Sequence, residues 1–140
     1  MLPVLFGYLA GSVPFAFLLA RRAGIDVRLA GSGNVGAANV LRTTGAWRAV
    51  LVIALDVTKG AAAVLVVHLA AGGASLAALT GAAAIVGHIY PVWLRFHGGK
   101  GVAVAAGVFS VLSPVATAVA ASLFVVTVWA TRFPSTYTSP

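Results

Sequence analysis

The chain has 140 residues, of which 61% are hydrophobic and only 8% charged, against about 25% charged in soluble domains. That balance excludes a water-soluble globular fold, because a chain of this size has no interior large enough for so much apolar surface; lipid must be part of its solvent. The net charge of +7, from nine Lys/Arg against two Asp, would suggest nucleic acid in a soluble protein. Here it reads as membrane topology, since cytoplasmic loops collect Lys and Arg, and no nucleic-acid partner is expected.

Residues 2–20 carry no charge and predict a first membrane helix. Gly7 and Gly11 give it a GxxxG face for close helix packing, and Pro14 predicts a kink. The basic pair Arg21–Arg22 follows this run and no basic region precedes it. That order does not fit a signal peptide; it puts the N-terminus outside and the far end of the helix in the cytoplasm. Residues 21–47 form a long, basic, glycine-rich connection. A second helix is predicted over 48–71, a short outer turn at Gly72–Gly73, and a third helix over 74–94. The basic segment 95–101 comes next.

Residues 102–130 form one uncharged run. As a single helix it would be about 43 Å long, against about 30 Å of hydrocarbon. Ser113–Pro114 inside it is a helix-start signal, with serine at the N-cap and proline at the first helical position. The run is therefore divided into a short helix over 102–112 and a longer one over 114–130. The division also puts Arg132 on the same side as the other basic segments. The short helix, about 17 Å, must be buried by neighbours or enter the membrane only partway. Residues 133–140 show no periodicity and predict an irregular tail. The expected fold is all-α: a polytopic membrane bundle of about five helices, four long and one short, in one domain over 1–132.

Three segments carry polar chemistry. The first is 31–42, which contains Gly31, Ser32, Gly33, Asn34, Gly36, Asn39 and Arg42. It matches the dinucleotide pattern GxGxxG, but that motif needs a preceding buried strand and a βαβ unit. Residues 26–30 make a poor strand, and Asp56, 20 residues beyond Gly36, lies inside an apolar helix. The loop's own physics still favours an anion. Glycines let backbone N–H groups converge, Ser32, Asn34 and Asn39 add neutral partners, and Arg42 offers a bidentate fork to phosphate. The plain alternative is a turn-rich loop.

The second segment is Gly98-Gly99-Lys100-Gly101. It is not a Walker loop, which would need glycine at position 94 and Ser or Thr at 101. Three glycines around a lysine at a helix start make either an anion nest with a point charge or a basic loop held by lipid headgroups. The third is Asp56 and Lys59, spaced i, i+3 inside the second helix. The spacing lets them share a face and pair, and a structural pair facing a cleft is favoured over direct substrate contact. His88, near the inner end of the third helix, either polarises a substrate or bonds a backbone carbonyl. The histidines at 68, 88 and 97 lack metal-ligand spacing, and with no cysteine in the chain no metal site is expected.

Five stretches in order, 11–14, 31–42, 56–60, 87–91 and 96–103, resemble the bacterial PlsY family of membrane acyl-phosphate:glycerol-3-phosphate acyltransferases. The resemblance covers nearly the whole chain to about residue 132. It implies transfer of a fatty acyl group from acyl phosphate to the 1-hydroxyl of glycerol-3-phosphate, giving lysophosphatidic acid and phosphate, with no metal and no coenzyme A. It implies a multi-pass protein of the bacterial inner membrane whose active face is cytoplasmic. By position, Ser32, Arg42 and Lys100 match the family's substrate-site residues, and Asn34, Gly98, Gly99 and Gly101 fall within its motifs. Ala38, His97 and Val104 depart from the residues usual at those places. The family normally continues for two more helices and a third motif containing His and Asn, so the resemblance implies a shortened form with little activity alone. The competing class is a small anion-binding transporter or channel subunit; a purely structural membrane subunit would leave both glycine-rich basic loops without a role.

Overall fold

The computed structural model describes residues 1–71 and 73–131. The expectations for Gly72, Arg132 and the tail 133–140 lie outside the described residues. Among those described, the regular structure is entirely helical: α1 Leu2–Ser12, α2 Phe15–Arg22, α3 Ala37–Thr44, α4 Ala46–Ala71, α5 Ala74–Ile89, a 3-10 turn Val92–Leu94, α6 Val102–Leu112 and α7 Pro114–Thr131. Three stretches are long and apolar enough to cross a membrane: Leu2–Arg22, Ala46–Ala70 and Ala74–Leu94. The division of the last apolar run at Ser113–Pro114 is as the sequence predicts, and the Ser113 carbonyl accepts the first bond of α7 from the Thr117 N–H at 3.0 Å.

Three boundaries differ from expectation. The first helix is not merely kinked but broken into α1 and α2, because Pro14 has no N–H to donate and holds Val13 extended, at φ −60° and ψ 116°. The third helix ends at Ile89, before Pro91, instead of running to 94, again because proline removes the preceding residue from helical geometry. The connection 21–47, expected to be a loop, contains a helix of its own, α3.

Small residues bring the helices together. Gly7 and Gly11 of α1 face Thr80 and Ala84 of α5, and Gly87 of α5 faces Tyr8. Gly60 of α4 faces Val104, and Gly107 of α6 faces Val57. At each of these a Cβ would overlap a backbone carbonyl of the facing helix, so the α1–α5 and α4–α6 pairs pack backbone against backbone, as membrane helices do when lipid tails offer no competing hydrophobic force. The buried core is correspondingly small-sided. One cluster (Ala16, Ala20, Val27, Val35, Val40, Ala49, Val52, Leu94) underlies the glycine-rich connection. The other (Ala63, Val64, Ala77, Ala84, Val104, Val108) fills the space between α4, α5 and α6.

Candidate active site

Between α2 and α3 the chain turns at Gly24, which has φ +78°. Asp26 then accepts three bonds from Arg28: from its backbone N–H at 3.0 Å, from Nε at 2.9 Å and from Nη2 at 2.6 Å. The guanidinium also lies over the Phe17 ring, 4.7 Å from its centroid. The side-chain bond from Arg28 holds the Asp26 carboxyl down at about 2, and the same bond raises Arg28 above its ordinary value. Arg28 is thus anchored in place as one partner of an ion pair with Asp26.

Residues 30–39 are organised by one side chain. Asn39, 1% exposed in the first turn of α3, directs its Nδ2 at the carbonyls of Val27 (2.9 Å), Ala30 (3.0 Å) and Asn34 (3.0 Å). Its Oδ1 accepts the Ser32 N–H at 3.0 Å. The amide is fully used inside the loop, so Asn39 shapes the loop and leaves no group free for an anion. Gly31 and Gly33, at φ +60° and +72°, supply the left-handed turns that this wrapping requires. Ser32 is exposed beyond them. Arg42, in the last turn of α3, is also exposed.

The second segment folds back on the end of α5. The Gly98 N–H donates to the Ile89 carbonyl at 3.0 Å and the Gly99 N–H to the His88 carbonyl at 3.2 Å. These two N–H groups cap the end of α5 and are not free to form an anion nest, which corrects the expectation for Gly98 and Gly99. The glycines serve close approach instead. A Cβ at 98 would overlap the His88 carbonyl, and one at 99 would overlap His88 Nε2 and stand 2.7 Å from the Val35 carbonyl. Before them Arg95 and Phe96 both take left-handed backbone, φ 52° and 63°, a conformation that costs non-glycine residues and clusters at functional sites. His97 Nδ1 donates to the Arg95 carbonyl at 2.7 Å. Gly101, at φ +78°, starts α6 with no side-chain cap, and Lys100 just before it is exposed. Two bonds tie the turn to α1: Trp93 Nε1 donates to Ser12 Oγ at 3.0 Å, and Tyr8 Oη to the Tyr90 carbonyl at 2.8 Å.

Both segments line one cleft of about 720 Å³. Its wall brings together Ser32, Gly33 and Asn34 from the first with Gly98 and Gly99 from the second. It adds Arg28, Arg95 and His97, which sequence reasoning did not select as site residues. The Asp26-x-Arg28 spacing was the available sign of an anchored guanidinium; nothing local marked Arg95. Arg42, Lys100, Gly36, Asn39 and Gly101 are not in the wall. Asp56 and Lys59 are buried away from it, with Lys59 Nζ 2.8 Å from Asp56 Oδ1. His88 borders a separate cavity of about 10 Å³ behind Gly98 and Gly99. The cleft is cationic, open at the end of the apolar helices, and suited to a phosphate group.

A family model described as glycerol-3-phosphate acyltransferase matches residues 1–138. A Myxococcus xanthus glycerol-3-phosphate acyltransferase is 53% identical over 124 residues, covering 87% of this chain and 65% of that protein. Glycerol-3-phosphate acyltransferase 1 of Deinococcus radiodurans is 44% identical over 135 residues, covering 96% and 68%. The fold is similar to crystal structures of PlsY (YgiH), an integral membrane glycerol 3-phosphate acyltransferase. Its glycerol 3-phosphate form matches with a TM-score of 0.85 and its lysophosphatidic acid form with 0.82, both at 39% identity and covering 91% of this chain. The chain spans 64% and 63% of those two structures, so it is about two thirds the length of its relatives. The matched span takes in both glycine-rich segments and every helix around the cleft, and the chain belongs to the glycerol-3-phosphate acyltransferase family.

Proposed function

We propose that the cleft transfers a fatty acyl group from acyl phosphate to the 1-hydroxyl of glycerol-3-phosphate, giving lysophosphatidic acid and phosphate. The observation that carries this reading is the meeting of the two glycine-rich segments on one cationic cleft beside apolar helices. The glycerol 3-phosphate and lysophosphatidic acid forms of PlsY support it. In the reaction the hydroxyl oxygen attacks the acyl carbon, the bond from that carbon to the phosphate oxygen breaks, and the hydroxyl proton leaves with the phosphate. Phosphate is already a good leaving group, so fixed positive charge near its developing charge supplies most of the catalysis.

In this reading Ser32, Arg42 and Lys100 contact substrate, and Gly33 and Asn34 let the chain approach a phosphate. Gly98, Gly99, Gly101 and Asn39 hold the two loops in shape. Arg42 and Lys100 are exposed side chains outside the cleft wall; both are long, and rotamer changes on binding bring such cations onto a ligand. The experiment is acyl transfer from palmitoyl phosphate, measured in a chimera that carries the segment by which the Myxococcus xanthus relative exceeds this chain. Arg42→Ala and Lys100→Ala should each lower kcat/KM by about 10- to 150-fold, the worth of a charged hydrogen bond of about 1.5–3 kcal/mol. Unchanged kcat/KM in both variants removes these residues from the site, and phosphate flux without acyl transfer favours an anion transporter.

The same reading puts residues 21–47 and 95–101 on the cytoplasmic face of a bacterial inner membrane with the N-terminus outside, supported by the concentration of Arg and Lys in those segments. Single cysteines replacing Gly24 or His97 should resist a membrane-impermeant maleimide added to intact cells. Strong labelling of either reverses the orientation.

A further inference from the structure

Three ionisable groups that touch no cleft residue through a charge of their own meet at one buried point. Asp56 is 2% exposed and Lys59 8%, and His88 is half-buried beside them. Lys59 Nζ donates to the Val13 carbonyl at 2.7 Å and to His88 Nδ1 at 3.1 Å, and forms an ion pair with Asp56 Oδ1 at 2.8 Å. An ammonium group has three protons and no lone pair. Held by these three groups, Lys59 is buried and does not line the cleft.

Two consequences follow from these contacts. Val13 lies in the break between α1 and α2, so Lys59 fastens the break to α4. Because an ammonium only donates, His88 Nδ1 must accept, and the neutral ring then carries its proton on Nε2. Nε2 is the atom that a Cβ at Gly99 would overlap, and the same point is 2.7 Å from the Val35 carbonyl. The first glycine-rich segment, through Val35, and the second, through Gly99, thus meet against the edge of this ring. Ser12, Pro14, Val35, His88, Gly98 and Gly99 border the small cavity there, whose volume of about 10 Å³ is roughly that of one water.

We propose that His88, held in one tautomer by the buried Lys59–Asp56 pair, is a positioning residue that sets the spacing of the two glycine-rich loops and through it the affinity for the phosphate of glycerol-3-phosphate. The inference rests on the function proposed above and adds to it a reason for placing charge inside a membrane helix, where each ionised group costs about 2.5–3.5 kcal/mol on insertion scales. Without the pair the ring has no fixed hydrogen bond and the loops lose their common stop.

The test uses the chimera described above, purified in detergent micelles, and radiolabelled glycerol-3-phosphate. His88→Asn keeps an acceptor near the place of Nδ1 but removes the ring edge over Gly99. His88→Gln reaches the place of Nε2 and retains a donor there. Asn should weaken binding by about 10- to 100-fold, the scale set by small misplacements in a site, and Gln should recover most of it. Lys59→Met should weaken binding similarly; if it does not fold, Asp56→Asn replaces it. Amide hydrogen exchange should quicken in peptides spanning 31–36 and 97–101 of His88→Asn while peptides from α4 and α6 keep wild-type rates. Wild-type affinity in His88→Asn, Gln no better than Asn, or exchange quickened equally in all helices overturns the positioning role. If the unsubstituted chimera itself binds no glycerol-3-phosphate, the functional reading fails and this inference falls with it.

Discussion

Replacing Asp56 by alanine should lower the unfolding free energy by about 3–5 kcal/mol, the cost of removing one partner from a buried ion pair. The carboxylate is 2.8 Å from Lys59 Nζ with both side chains nearly inaccessible, and α4 places them among Val and Ala, where water cannot substitute. The Val13 and His88 acceptors would remain, but both are uncharged in this arrangement, so the ammonium would lose its only counter-charge. Asp56→Asn should cost less, because the amide dipole still faces the ammonium and only the full charge is lost. Reversible unfolding in mixed detergent micelles, followed by tryptophan fluorescence, measures both. A loss in Asp56→Ala within about 0.5 kcal/mol, the scale of a surface substitution, would mean that the pair does not hold the bundle together.

The contrast between this cluster and the loops explains what could be read in advance. Asp56 and Lys59 are three residues apart on a helix, and their pairing followed from spacing alone. Their other partners, Val13 and His88, lie 46 and 29 residues from Lys59, and no local rule reaches that far. The membrane helices were legible because lipid imposes length and apolarity on them. The loop residues were legible as a polar group but not in their individual roles. The sequence marks Asn39 as a polar loop residue, but its amide is spent on loop carbonyls 5 to 12 residues away, and the Gly98 and Gly99 N–H groups are taken by the end of α5 beneath them. Helix α3 was hidden because Asn39, Thr43 and Thr44 are poor helix formers. It is held by tertiary burial of Val40 and by the Thr43 and Thr44 hydroxyls donating to the carbonyls of Asn39 and Val40 at 2.8 and 2.9 Å. In Arg28 the sequence offered a cation, but only the fold brought it over Phe17 and into the cleft wall.

Gly99→Ala should lower kcat/KM for glycerol-3-phosphate by about 100-fold in the chimera described above, whereas Gly36→Ala should leave it within about threefold. The two glycines are alike in sequence and differ in surroundings. A Cβ at Gly99 meets the His88 ring and, at 2.7 Å, the Val35 carbonyl, and neither is the loose end of a flexible chain. One belongs to a buried network and the other to the backbone of the facing loop, so the added methyl must push the two loops apart. Displacement of about 1 Å is enough for a loss of about 100-fold where binding groups must converge on one ligand. Gly36 has an extended backbone, φ −151°, that any residue adopts. Its Cβ would stand 3.4 Å from Asn34 Oδ1, an ordinary contact. Steady-state acyl transfer at varied glycerol-3-phosphate measures both variants, with the loss in Gly99→Ala expected chiefly in KM because the loops position the phosphate. Near-wild-type kinetics in Gly99→Ala would show that the loops need not touch at this point. A comparable loss in Gly36→Ala would show that glycine is required there for contact with the phosphate itself, and not for packing.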